Sequence, residues 1–161
     1  MRRLAEAPER RATFREEKRL AALDQPLLSN GTLLYRRPGH LEKVTLFPQR
    51  ESLVVDGDRL VVTLGEEPPR VVDLRGQPEI RALVDAIRAP IAGDLATLQR
   101  GFNVRMDAAP PGWRLTLTPR DPAVARVVRE VRVGIAGLDV TAIHVIEAGG
   151  DEQRMVIEPA P

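Results

Sequence analysis

The chain has 161 residues, with 24 Lys or Arg against 23 Asp or Glu and a formal net charge of +1. That length is enough for one domain with a substantial core, spanning 1–161, and the balanced charge argues against a nucleic-acid or anionic-surface binder. Cysteine is absent, which removes disulfide frameworks, thiolate zinc sites and cysteine nucleophiles.

Residues 1–12 are charged and contain Pro8, and they read as a frayed or short helical N-terminus. Between Ala12 and Leu23, Phe14, Leu20 and Leu23 suit a helix face or a first strand equally. Alternation predicts a strand over Leu27 to Arg36, with Leu33 and Tyr35 on one face and Thr32 and Leu34 on the other. His40 to Phe47 follows, where Val44 and Leu46 oppose Lys43 and Thr45. Ser52–Asp56, carrying Leu53 and Val55, joins Arg59–Leu64 through Asp56-Gly57. Pro38-Gly39 is the matching turn before it. Pro68-Pro69 interrupts, and Val71-Val72 makes a short strand.

The period then changes. Ile80, Leu83, Val84 and Ile87 stand at i, i+3, i+4 and i+7, an amphipathic helix led by Pro78 with Glu79 in its first turn. Pro90 and Gly93, on either side of Ile91, are expected to break it. Asp94 reads as the N-cap of a second short helix carrying Leu95 and Leu98 and closed by Gly101. Strands resume at Phe102–Ala108. Trp113, Leu115 and Leu117 alternate with Arg114, Thr116 and Thr118, one face dry and one wet, until Pro119 and Pro122. Three further strands, Val128–Ile135, Val140–Glu147 and Gln153–Glu158, are separated by Gly137-Leu138-Asp139 and Gly149-Gly150-Asp151.

About ten strands with one helical insertion predict an α+β, mostly β fold. An antiparallel meander of that size curls, splits or closes. The insertion has one apolar stripe to bury, and the concave side of a curled sheet is available for it. The expectation is an unclosed half-barrel with a helical lid at about residues 79–100.

Residues for chemistry are sparse. His40 and His144 are the only histidines, one at a turn and one in a strand, without a second ligand at metal spacing. Ser29 and Ser52 lack a G-x-S-x-G context. Glu16-Glu17 and Glu66-Glu67 are adjacent rather than facing. There is no Walker-type or G-x-G-x-x-G loop. No enzyme, no metal and no cofactor are expected, and no run approaches the length of a membrane span.

The segment Gly31–Pro38 has the order G-x-L-x-x-R-R-P, and Pro48 to Gly57 reads P-x-x-E-S-L-V-V-D-G. In that order the chain resembles the LolA-like outer-membrane lipoprotein carriers. The resemblance runs from about Phe14 to Glu158 and is strongest between Gly31 and Leu60. It implies a non-enzymatic periplasmic carrier, with its signal peptide removed, that shields acyl chains of lipoprotein or other lipid cargo in a hydrophobic cavity. It also implies transient membrane-bound donor and acceptor partners, no stable membrane insertion, no nucleic acid and a monomeric state. Arg37 takes the place of the family's lid latch, an arginine bonded to carbonyls of the covering helices; the plain alternative is a surface arginine before a turn. The cavity wall would draw on Leu33, Tyr35, Val44, Leu46, Leu53 and Val55 from the strands. Ile80, Leu83, Val84, Ile87, Ile91, Leu95 and Leu98 would come from the lid, and Trp113, Leu115 and Leu117 from the later sheet. With five aromatic residues in the chain (Phe14, Tyr35, Phe47, Phe102 and Trp113), that wall is chiefly aliphatic. A lipid-sensing or partner-binding module on the same half-barrel is the other functional reading.

Overall fold

A computed structural model describes residues 9–137 and 139–160. Eleven strands form one open sheet. In chain order they are β1 (Glu9–Arg19), β2 (Leu27–Arg36), β3 (His40–Phe47), β4 (Glu51–Asp56), β5 (Arg59–Leu64) and β6 (Arg70–Asp73), followed by β7 (Phe102–Ala109), β8 (Gly112–Pro119), β9 (Val128–Ala136), β10 (Asp139–Glu147) and β11 (Glu152–Pro159). The spatial order is β6-β5-β4-β3-β2-β1-β11-β10-β9-β8-β7. Every neighbouring pair is antiparallel. The first and last strands therefore pair in the middle, and the two edges are β6 and β7.

The chain crosses from one edge to the other through a 3-10 turn (Leu74–Gly76), helix α1 (Pro78–Ala92) and helix α2 (Leu95–Gly101). This is the helical insertion read from the sequence, and it lies against one face of the sheet. Asp94 caps α2, its carboxylate accepting from the Thr97 backbone N–H at 3.1 Å.

Four details differ from the sequence reading. Among the described residues the strands number eleven, because the ambiguous stretch from Ala12 belongs to β1 as far as Arg19, with Leu20 and Leu23 beyond it. Glu9 to Ala12 are strand rather than frayed or helical, and the rest of that expectation, residues 1–8, lies outside the described residues. The ambiguity had a cause: β1 points Glu16 inward, so its buried face is not uniformly apolar. Pro90 does not break α1, which continues to Ala92. A proline there deletes one N–H donor near a terminus, and Gly93, left-handed at φ 70°, closes the helix by donating to Ala89 and Pro90 carbonyls. A short helix α3 (Pro122–Ala125), capped by Asp121, and the 3-10 turn carried no periodic signal and were not anticipated.

The core has two parts. The larger joins β1, β2 and β7–β11 to α1 and α2, with Leu98, Phe102, Leu115, Leu117, Val131 and Val133 almost wholly enclosed. The smaller gathers Val55, Leu60 and Leu74, with Ile80 and Val84 of α1 packed against them.

Candidate functional site

Between the two core clusters, where α1 spans the middle of the sheet, lies a cavity of about 220 Å³. Leu33, Leu53 and Val55 of the sheet and Ile80, Leu83, Val84 and Ile87 of α1 line it, all of them named from the sequence. It is far larger than the ~10–15 Å³ that one water needs and of the order of cavities that take up benzene. A second, much smaller hollow of about 50 Å³ adjoins Leu33, Tyr35, Leu41 and Ile91.

The remaining wall candidates lie elsewhere. Leu98, Leu115 and Leu117 are buried at 0 % exposure in the solid core rather than on the cavity. Leu95 and Trp113 are substantially exposed, Trp113 at 52 %. Alternation gives Trp113 its face but does not say how far along the strand the helical cover reaches. Val44 and Leu46 belong to the outer face of the sheet. The register decides this: Leu33 lies opposite Lys43, Tyr35 opposite Leu41 and Gly31 opposite Thr45. Directly opposed residues share a face, so with Leu33 and Tyr35 turned inward, Leu41, Lys43 and Thr45 must follow. Over Lys43–Leu46 the polar residues of β3, Lys43 and Thr45, are thus on the inner side, and Leu46 is half exposed outside.

The sequence reading missed Leu41, Leu60, Ile143, Val145 and Met155 on the cavity wall, and three polar residues with them. Glu16, 4 % exposed, accepts through one carboxylate oxygen from Lys43 Nζ at 2.8 Å and from Gln153 Nε2 at 2.8 Å. Lys18 Nζ stands 3.9 Å from its other oxygen. The Lys43 ammonium also sits 5.1 Å from the centre of the Phe14 ring, within cation–π range. The inverted alternation of β3, polar inward, was the signal that could have found this cluster.

At the other end of the cavity, α1 is tied to the sheet by Arg88. Its guanidinium donates to the Gly39 carbonyl at 3.0 Å and the Gly57 carbonyl at 2.7 Å. These carbonyls belong to the β2–β3 and β4–β5 turns. Asp85 holds the guanidinium at 3.4 Å, and Arg81 bridges Asp85 to Asp58 in the second turn, at 3.4 and 2.6 Å. His40 and Asp56, facing each other across β3 and β4, are joined at 3.3 Å beside the same two turns, and His40 also meets Glu42 at 2.7 Å. These carboxylates, Glu42 first, raise the His40 pKa against the opposing effect of burial. Tyr35 donates to the Pro38 carbonyl at 3.3 Å, and burial pushes its phenol pKa up. Arg37 is exposed at the β2–β3 turn, close enough for its charge to act on Tyr35.

A family model described as "Outer membrane lipoprotein carrier protein LolA-like" matches residues 1–161. The chain belongs to that family. A search of the curated proteins gives no match. Among solved structures, a DUF1329 family protein from Desulfovibrio piger shares 7% identity at a TM-score of 0.51, over 98% of this chain and 86% of that one. A LolA superfamily protein from Nitrosomonas europaea aligns with a TM-score of 0.44 and 10% identity, covering 93% and 84%. The Mycobacterium tuberculosis lipoprotein LppX gives 0.45 and 13%, covering 96% and 87%. At such identities the first of these speaks for the fold alone. LolA-like membership and the open half-barrel agree with the sequence reading. Among the described residues no group of three His, Asp or Glu could hold a metal, and no helix is long and apolar enough to cross a membrane.

Proposed function

We propose that this protein is a periplasmic carrier that shelters acyl chains of lipoproteins or other lipids between its sheet and α1, and moves them toward the outer membrane. One observation carries the reading: an apolar helix stripe and an apolar sheet face line a partly open cavity of about 220 Å³ between them. Each buried methylene gains about 0.8 kcal/mol, so acyl chains do not cross water unaided. A shuttle must hold them, yet release them to an acceptor. A lid closed by a few hydrogen bonds meets both needs. Charge-assisted bonds are worth about 1.5–3 kcal/mol each, enough to favour closure and small against a bound chain. Arg88 supplies such bonds from the helix side, and Arg37, at the β2–β3 turn, is proposed as a second latch from the sheet side. Donor and acceptor proteins would dock transiently with a monomeric carrier.

The test is gentle purification, extraction with organic solvent and mass spectrometry of the extract. Recovered lipid or lipopeptide is the expected result. Clean extracts together with no uptake of a fluorescent acyl probe would overturn the carrier reading.

A further inference from the structure

The cavity holds a charged cluster that a purely apolar container has no need of. Among the described residues, Glu16 and Lys43 are the charged groups on its wall. Burying such a pair is costly unless its geometry is good, and replacement by apolar residues is often neutral or stabilising. The cluster is also unbalanced: Lys43 at 2.8 Å and Lys18 at 3.9 Å face the one Glu16 carboxylate, an excess of one formal positive charge. Lys43 is 15 % exposed at its side chain against 2 % for Glu16. Lys43 is therefore the more accessible side chain of the pair.

An apolar chain end pressed against Lys43 would strip water from the ammonium and return nothing. An anionic head group would instead gain a charge-assisted bond and neutralise the excess. Its tail would then run between Leu33, Leu41 and Leu53 below and Leu83 and Ile87 above, the lining of the same cavity. A volume of about 220 Å³ suits one chain rather than several.

We infer that the cavity selects single-chain amphiphiles with an anionic head group, carboxylate or phosphate, seated on Lys43 and Lys18 beside Glu16. This rests on the carrier reading, because the tail must occupy the cavity proposed there.

The test is titration calorimetry of the full chain with dodecanoate, dodecyl phosphate and dodecanol. One charge-assisted contact corresponds to about tenfold or more in affinity. The expected result is that at least one anion binds about tenfold or more tighter than dodecanol, and which anion wins identifies the head group. The Lys43→Met/Lys18→Gln/Glu16→Gln triple variant removes all three charges; it should lose the anion preference and still bind dodecanol. Should that variant fail to fold, Lys18→Gln and the salt dependence of wild-type binding serve instead. Added salt must then weaken the anions and leave dodecanol unchanged. Equal binding of all three ligands, or an anion preference indifferent to these changes, overturns the head-group inference and leaves the container standing. No binding of any ligand removes both.

Discussion

Among individual residues, Arg88 holds α1 to the sheet most directly. Its partners are backbone carbonyls, which no side-chain substitution at Gly39 or Gly57 can remove, so the contact is tested from the arginine. Arg88→Ala should lower stability by about 2 kcal/mol and speed uptake of an acyl probe, read by stopped-flow fluorescence. If Arg37 shares the latch role, Arg37→Leu should shift loading or release in the same direction; unchanged kinetics would leave Arg88 to act alone. His40 gives a pH signature. Its pKa is raised in the folded chain by Glu42 and then Asp56, so the folded state favours the imidazolium. The stabilisation is therefore complete below about pH 6.5 and fades as pH rises through the raised value. Urea denaturation should show the advantage of wild type over His40→Gln constant below about pH 6.5 and shrinking as pH rises above it; a difference that does not change with pH would remove His40 from the tie.

Within single elements, β2 and β3 approach so closely that Gly31 cannot carry a side chain. A Cβ there would stand 1.9 Å from the Val44 carbonyl oxygen, beside the irregularity between Asn30 and Gly31. Gly31→Ala should cost about 2–3 kcal/mol through forced backbone movement, measurable as a drop in the urea midpoint; a neutral result would mean the two strands can separate freely. The same pair of strands shows what the sequence could and could not say. The ends of β2, β3 and β5 were legible from alternation and the turn residues, and α1 and α2 from helical spacing and the Asp94 cap. The faces were less secure. In β2 the large residues Leu33 and Tyr35 marked the inside correctly. In β3 the same rule chose Val44 and Leu46, because Lys43 resembles a solvent residue until Glu16, 27 positions earlier, is brought to it by strand pairing. Arg88 was hidden differently: the Arg81, Asp85 and Arg88 stripe reads as an ordinary solvated helix face, and only the fold delivers two turns to it. Leu98, Leu115 and Leu117 were recognisably apolar, yet periodicity cannot separate a filled interior from a hollow one.

For the molecule as a whole, the order of strands sets where stability resides. The first and last described strands, β1 and β11, pair at the centre of the sheet, while its margins, β6 and β7, come from the middle of the sequence. β6 is four residues long and Val71 in it is exposed. Hydrogen exchange should therefore be slowest in β1, β10 and β11 and fastest in β6, the reverse of a fold with fraying ends. Removing residues after Gly150 should unfold the protein outright, since it divides the sheet instead of trimming it. A shortened chain that keeps its cooperative transition would contradict this.

The covering segment departs from β6 and arrives at β7, so it is anchored to opposite margins of the sheet. A flap hinged at one side swings clear; a belt buckled at both sides cannot. Under the proposed carrier function, an acyl chain would have to slip in beneath it, and the girth of the half-barrel would have to widen as it did. Its grip would then depend on how far β6 and β7 can be drawn apart, and a docking protein that pulled on either margin would loosen the belt without touching what it holds.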